Sequence, residues 1–166
     1  MNLRISAVVA LLLTAAAAPA LAAQASGTVN ASATVIQPLT ITQTQAMDFG
    51  KLVMNSAANA AGTVVVAPNN GRTQTGGVDL VSSTPTAGIV SVVGQSGSTY
   101  TVTLPASAVS LSDGTHTMSV DTFNSSDTLA TVSGTNSIHI GATLHAAQNQ
   151  AAGAYTGSFT VTAAYE

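Results

Sequence analysis

The sequence has no cysteine and no tryptophan, few aromatic residues (4%) and very little charge, with Asp, Glu, Lys and Arg making up 5% of its 166 residues. Without cysteine there is no disulfide framework, no thiolate nucleophile and no thiol for a lipid anchor. A soluble domain ordinarily carries about 25% charged residues. Beyond Arg4 the basic residues here are Lys51 and Arg72 alone. A nucleic-acid binder sets a Lys or Arg against each phosphate it neutralises, so two scattered cations exclude that class of partner. They equally argue against docking on an anionic membrane surface. An outer-membrane barrel needs an apolar lipid-facing band bounded by aromatic girdles. The outward positions here are mostly Thr and Ser, and the girdles have no source.

What is present is apolar or polar without charge, with a mean hydropathy of +0.40. Long alternating apolar stretches exclude a disordered chain. Residues 1–22 read as a signal peptide: Arg4 gives the positive start, Ile5 to Ala18 the apolar core, and Pro19-Ala20-Leu21-Ala22 the small-residue cleavage pattern. The apolar run is shorter than the roughly 20 residues a spanning helix requires, so no membrane span is expected after processing. Residues 23–166 are then expected to form a single domain. The protein is expected to be exported, residing between the periplasm and the cell surface or outside the cell.

Within that domain nearly every segment alternates with a period of two, the mark of a half-buried strand. Val29, Ala31, Ala33, Val35, Leu39 and Ile41 share one face of an expected first strand, with Pro38 on the other. GTVVVAP, GVDLVSS, GIVSVVG, STYTVTLP, HTMSVDTF and SIHIGATLHA follow as strands, separated by Asn69-Asn70-Gly71, Pro85, Gly94 to Ser98 and Asp113-Gly114. The final stretch, GAYTGSFTVTAAYE, places Tyr155, Gly157, Phe159, Val161, Ala163 and Tyr165 on one face. Ala57 to Ala61 and Ala146 to Ala152 read as loops or single helical turns. Many short strands with regular turns make an all-β, immunoglobulin-like antiparallel β-sandwich the expected fold.

Catalytic chemistry finds little support. His139 and His145 lie six residues apart on one strand, roughly 20 Å, too far to share a metal ion. His116 follows a turn and stands within reach of Asp113 or Asp121, an ordinary polar turn. GQSGS at Gly94 to Ser98 lacks the glycine spacing and strand-to-helix context of a nucleophile elbow and reads as a hairpin turn. Asp48-Phe49-Gly50 matches a kinase magnesium motif without the phosphate loop that motif requires. The aspartates are dispersed, with no calcium loop. No enzyme, cofactor or metal is expected.

Taken in order, ATVIQPLTITQTQAMDFGKL, GTVVVAP, STYTVTLP, HTMSVDTF, IGATLHA and QAAGAYTGSFTVTAAYE resemble the bacterial exported domain-of-unknown-function family numbered 4402 across nearly the whole mature chain. That family is similar to the fimbrial subunits and spore-coat U-type proteins of chaperone–usher systems. The resemblance implies a structural subunit of a surface fibre or coat, finished by a strand from a periplasmic chaperone and then from a like subunit. Gly153 and Tyr165 stand where such subunits carry a glycine fourteenth from the end and a penultimate tyrosine. Tyr155, Phe159, Val161 and Tyr165 would line the groove that the added strand fills. Val29, Ala31, Ala33 and Val35 form a possible donor segment. Three arrangements remain open: Thr28 to Ile36 donates and the domain's own first strand begins near Leu39; the subunit accepts without donating; or the segment folds into its own groove. A terminal strand paired inside a closed sandwich is the plain alternative, which leaves a self-contained secreted β-sandwich acting as a binding or adhesion module.

The leader assignment predicts that the exported protein begins at Ala23, with cuts after Ala23 or Ala25 as the alternatives. Intact-mass measurement of the secreted form checks it, and retention of Met1 would overturn it.

Overall fold

The computed structural model describes residues 24–55 and 60–166. The signal peptide expected over residues 1–22, and most of the Ala57–Ala61 stretch, lie outside the described residues. Two units are distinguished, Met1–Thr34 and Val35–Glu166. In the first, the described residues 24–34 form neither helix nor strand and are exposed. The strand expected over Val29 to Ile41 therefore shrinks, since the first ladder begins at Thr40. Alternation supplies a face, but a strand also needs a neighbour for its amides, and residues 24–39 join no ladder.

The second unit is an antiparallel β-sandwich. Its strands are β1 (Thr40–Gln45), β2 (Leu52–Met54), β3 (Gly62–Val66), β4 (Arg72–Gly76), β5 (Val78–Leu80) and β6 (Gly88–Val93). They continue with β7 (Thr99–Thr103), β8 (Val109–Ser112), β9 (Thr117–Ser125), β10 (Leu129–Thr131), β11 (Thr135–Ala146) and β12 (Thr162–Tyr165). Among the described residues there is no α-helix.

Strand β11 organises the larger sheet. One of its flanks pairs first with β6 and then, further along, with β3; the other pairs with β9. Strand β1 extends the sheet beyond β6, β4 extends it beyond β3, and β8 extends it beyond β9. A smaller sheet, in the order β10-β7-β12, covers one end of this surface, and the β2–β5 pair stands apart from both.

The core follows from alternation. Val64 and Val66 of β3, Val90 and Val92 of β6, Met118 and Val120 of β9, and Ile138, Ile140 and Leu144 of β11 are all buried, with more exposed or smaller residues between them. The smaller sheet presses Tyr100 and Val102 down onto Val90, Val92, Ile138 and Ile140. Phe49 joins Val64, Val66, Val78, Met118, Val120 and Leu144 in a second cluster.

The turns show local chemistry. Asn70, at φ 64°, closes the β3–β4 hairpin, and its backbone N–H donates to the Ala67 carbonyl at 2.9 Å. Asp113 to His116 close the β8–β9 hairpin. Gln95 to Ser98 form a turn, with Gly97 at φ 82°, but it carries the chain from β6 in one sheet to β7 in the other. The hairpin expected there is thus a crossover. Asp48-Phe49-Gly50 is a structural turn: the Asp48 carboxylate accepts the Gly50 N–H at 2.7 Å, Gly50 sits at φ 75°, and the turn seats Phe49 in the core.

Arg72, one of the two Lys or Arg residues that follow Arg4 in the sequence, fastens two loops together. Its guanidinium donates to the carbonyls of Phe49 (3.0 Å), Lys51 (3.4 Å) and Val81 (2.9 Å) and to the Ser83 hydroxyl (3.0 Å). A planar fork of five donors suits such divergent acceptors, which a lysine cannot span. Truncation would strand several acceptors, at about 1–3 kcal/mol for each that stays dry. Arg72→Ala is expected to lower unfolding stability by roughly 2 kcal/mol in urea titration, with Arg72→Lys recovering under half. A loss below about 0.5 kcal/mol would show the clip to be idle.

Candidate functional site

The strands of the second unit run round in a nearly complete circuit. Strand β1 is bonded to β6, β6 to β11, β11 to β9 and β9 to β8. Ser112, at the end of β8, then exchanges two backbone hydrogen bonds with Thr156, the Ser112 N–H donating at 2.8 Å and the Thr156 N–H at 2.9 Å. Further along, the same C-terminal segment becomes β12 and pairs with β7 from Thr162↔Thr103 to Tyr165↔Tyr100. Between this segment and β1, among the described residues, there is no ladder and no bridge.

The break in the circuit is an open groove of about 1310 Å³. One wall is Ile41, Gln43 and the loop through Met47 to Met54; the other is the chain from Gln150 to Val161. Val120, Met118, Leu111, Ile140 and Leu144 contribute to its floor. The register of β1 shows how unusual this wall is. Ile41 lies opposite Val92 and Gln43 opposite Val90, so both share the inward face of the sheet. Val92 is fully buried, yet Ile41 keeps 37% of its exposure and Gln43 is exposed. Inward-facing side chains stay wet on this strand because nothing covers them.

The opposite wall has the same character. The final strand expected from Tyr155 to Tyr165 keeps its side-chain parity: Tyr155, Phe159, Val161, Ala163 and Tyr165 are half-buried, and the residues between them are exposed. Its ladder is shorter than expected, with one bridge at Thr156 and then β12 alone. Backbone groups alternate sides along a strand. Thr156 and Glu166 turn theirs towards β8 and β7 respectively, the Glu166 N–H donating to the Thr99 carbonyl at 3.2 Å. Odd-numbered residues therefore turn their N–H and C=O groups towards the gap.

Several features hold this wall in place. Phe159 stacks on Phe123 with ring centroids 4.8 Å apart at 47°. The Tyr155 hydroxyl donates to the Ala151 carbonyl at 2.8 Å and accepts from the Gln150 amide at 2.8 Å. Gly157 passes so close to β8 that a Cβ would stand 2.7 Å from the Ser110 carbonyl oxygen, so the approach requires glycine. Gly153 lies against the Asp113 side chain, where a Cβ would stand 2.8 Å from a carboxylate oxygen.

Of the residues singled out in the sequence, Gly153, Tyr155, Gly157, Phe159 and Val161 line the groove. Ala163 and Tyr165 lie beyond it in β12, packed against Tyr100 and its neighbours. Tyr165 closes that end: its hydroxyl donates to the Gln37 carbonyl at 2.9 Å and accepts the Gln95 N–H at 2.6 Å. Val29, Ala31, Ala33 and Val35 join no ladder, Val29 being 89% and Val35 97% exposed. The β1 wall, Met47 and the floor residues of β8 and β9 were not foreseen as groove residues. Ile41 carried the usable signal, as the end of an apolar face on a strand otherwise made of Thr and Gln.

The titratable groups stand elsewhere. His145 Nε2 meets Asp121 Oδ1 at 2.8 Å on the sheet surface, and this bond lowers the Asp121 pKa. The Tyr100 hydroxyl is buried without a hydrogen bond of acceptable geometry; desolvation raises its pKa, and the nearby Asn136 side chain opposes that only in part. Among the described residues no three His, Asp or Glu side chains gather to hold a metal ion. Asp113 accepts the backbone N–H of His116 at 2.6 Å and of Thr115 at 2.8 Å, with His116 Nδ1 at 3.1 Å. These bonds, the His116 amide foremost, hold its pKa at about 2. A carboxylate whose pKa falls on folding stabilises the turn above its unfolded value, near 4, and that support disappears as pH falls through about 2. NMR titration should find the Asp113 carboxyl midpoint near 2, and Asp113→Asn should remove that step from the acid-unfolding profile. An ordinary midpoint near 4 would contradict the turn geometry.

No curated protein and no solved structure matches the sequence. Residues 39–165 match the family described as Domain of unknown function (DUF4402), from the residue before β1 to the last residue of β12. The chain belongs to that family.

Proposed function

We propose that this protein is a structural subunit of a bacterial surface fibre or coat, completed by a strand from another polypeptide. The observation that carries the reading is the groove between β1 and the C-terminal segment, apolar on its floor and bordered on both sides by strand flanks without partners. An extended segment laid into it would satisfy backbone groups on both walls and cover Ile41, Met47, Phe159 and Val161 at once. Each Val or Leu side chain fully buried in such a step contributes about 1.5–3 kcal/mol.

The composition is consistent with stacking. Faces built from Thr, Ser and Ala carry no like charges to repel when copies associate. A periplasmic chaperone supplying the first strand would keep the apolar floor from aggregating before assembly. Fimbrial likeness enters this reading from the sequence resemblance, and export from the signal peptide expected over residues 1–22. The histidines take structural parts in it, His116 in a turn and His145 on the sheet.

A peptide of the sequence Gly27 to Gln37 tests the reading. Added to a full-length Val29→Asp, Val35→Asp variant, which cannot supply its own apolar strand, the peptide should raise the thermal midpoint by several degrees. The same peptide carrying both aspartates should leave it unchanged. On unheated gels the native protein should form a ladder that the variant lacks. An unshifted midpoint together with an undiminished ladder would refute strand complementation.

A further inference from the structure

Asn70 closes the β3–β4 hairpin, and it is the only asparagine in the chain followed by glycine. We infer that Asn70 is a spontaneous deamidation site gated by the fold, inert while this turn is closed and converted irreversibly once it opens. The inference does not depend on what fills the groove.

The chemistry needs no reactant but water. The Gly71 backbone nitrogen attacks the carbonyl carbon of the Asn70 side chain. A carbon–nitrogen bond forms, the proton of the Gly71 N–H passes to the departing amide nitrogen, and ammonia leaves behind a five-membered succinimide. Water then opens either carbonyl–nitrogen bond of that ring, giving aspartate or isoaspartate. Glycine after the asparagine leaves the attacking nitrogen unhindered by a Cβ.

Three features of the closed turn keep the reacting atoms apart. The Gly71 N–H donates to Asn69 Oδ1 at 3.0 Å, so the nucleophile holds its proton. Asn70 Oδ1 accepts the Ala87 N–H at 2.7 Å, which fixes the carboxamide against the residue before β6. Asn70 itself stands at φ 64°. For a residue with a side chain, that φ goes with a positive ψ. The Gly71 nitrogen then lies across the Cα–C bond from the Asn70 Cβ, whereas ring closure requires both on the same side. Two backbone bonds hold this form: the Asn70 N–H donates to the Ala67 carbonyl at 2.9 Å, and the Ala67 N–H to the Gly71 carbonyl at 2.8 Å.

The same contacts make the change one-way. Ala87 is fully buried, and Asn70 supplies the acceptor for its N–H. Isoaspartate lengthens the main chain by one methylene and draws the carbonyl that held Ala87 into it. A buried N–H then stands without its partner, and the hairpin cannot close as before.

Full-length protein held at mildly alkaline pH, folded in buffer or unfolded in urea, tests the gate by peptide mapping with mass spectrometry. In urea Asn70 should convert before every other asparagine. In the folded chain its conversion should be at least about tenfold slower, because it waits on the open fraction. Asn69→Ala frees the Gly71 N–H. That variant should convert about fivefold faster than the native chain when folded, the effect of one ordinary hydrogen bond, and equally fast in urea. Molecules refolded after conversion should melt several degrees lower. Equal rates in the folded and unfolded chain, or a folded Asn69→Ala chain no faster than the native one, would overturn the gate. Earlier conversion of another asparagine in urea would overturn the site, and an unchanged melting point after conversion would overturn its one-way character.

Discussion

A backbone amide or carbonyl on a strand flank needs a partner, and along the C-terminal segment one whole flank has none in its own sheet. Natural edge strands are blunted by charge, proline or a covering element. From Gln150 to Tyr165 there is neither a charged residue nor a proline. The flank of β1 across the groove is bare in the same way, and Ile41 shows the consequence in a single side chain: it faces inward and stays wet. Everything else in the domain is arranged around that break in the circuit.

The rest of the structure keeps the break from healing. A sheet that could slide would close its own gap, but each wall is anchored independently of the other. The C-terminal wall is fixed by the Thr156 bridge, by Phe159 on Phe123 and by the β12 ladder, and Gly157 lets it sit against β8. The β1 wall is fixed by its ladder to β6 and, through the following loop, by the paired backbone bonds of Asp48 with Thr86 and the Arg72 clip. Tyr165 joins the walls at one end only, through a hydroxyl rather than a ladder. Interiors pack densely and rearrange in discrete steps, so a cleft held on both sides persists as a cleft.

The long strands were legible because they are half-buried. Ile138, Ile140 and Leu144 of β11, and Tyr100 and Val102 of β7, alternate with polar residues, and burial follows that alternation. Strands β2, β4, β8 and β10 were not legible: β2 and β10 span three residues each, and RTQTG of β4 has no apolar face to read. Val29 to Ile36 misled in the opposite direction, alternating as a strand should while lacking a neighbour. The groove was half legible. Its C-terminal wall showed in the parity of Tyr155, Phe159 and Val161, whereas its other wall depends on which strand is left without a neighbour, a property of topology that no local pattern encodes. Arg72 looked like a stray cation because its partners, three backbone carbonyls and the Ser83 hydroxyl, are uncharged groups from other parts of the chain.

Amide hydrogen exchange on an isolated copy tests the incomplete circuit most directly. The amides of Gly157, Phe159 and Val161 should exchange at nearly unprotected rates while those of β11 are slow, and the same three should become protected when the protein assembles. Protection of these amides in the isolated copy, comparable to that of Ile140 or Leu144, would mean that the flank is already paired and that no outside strand is needed.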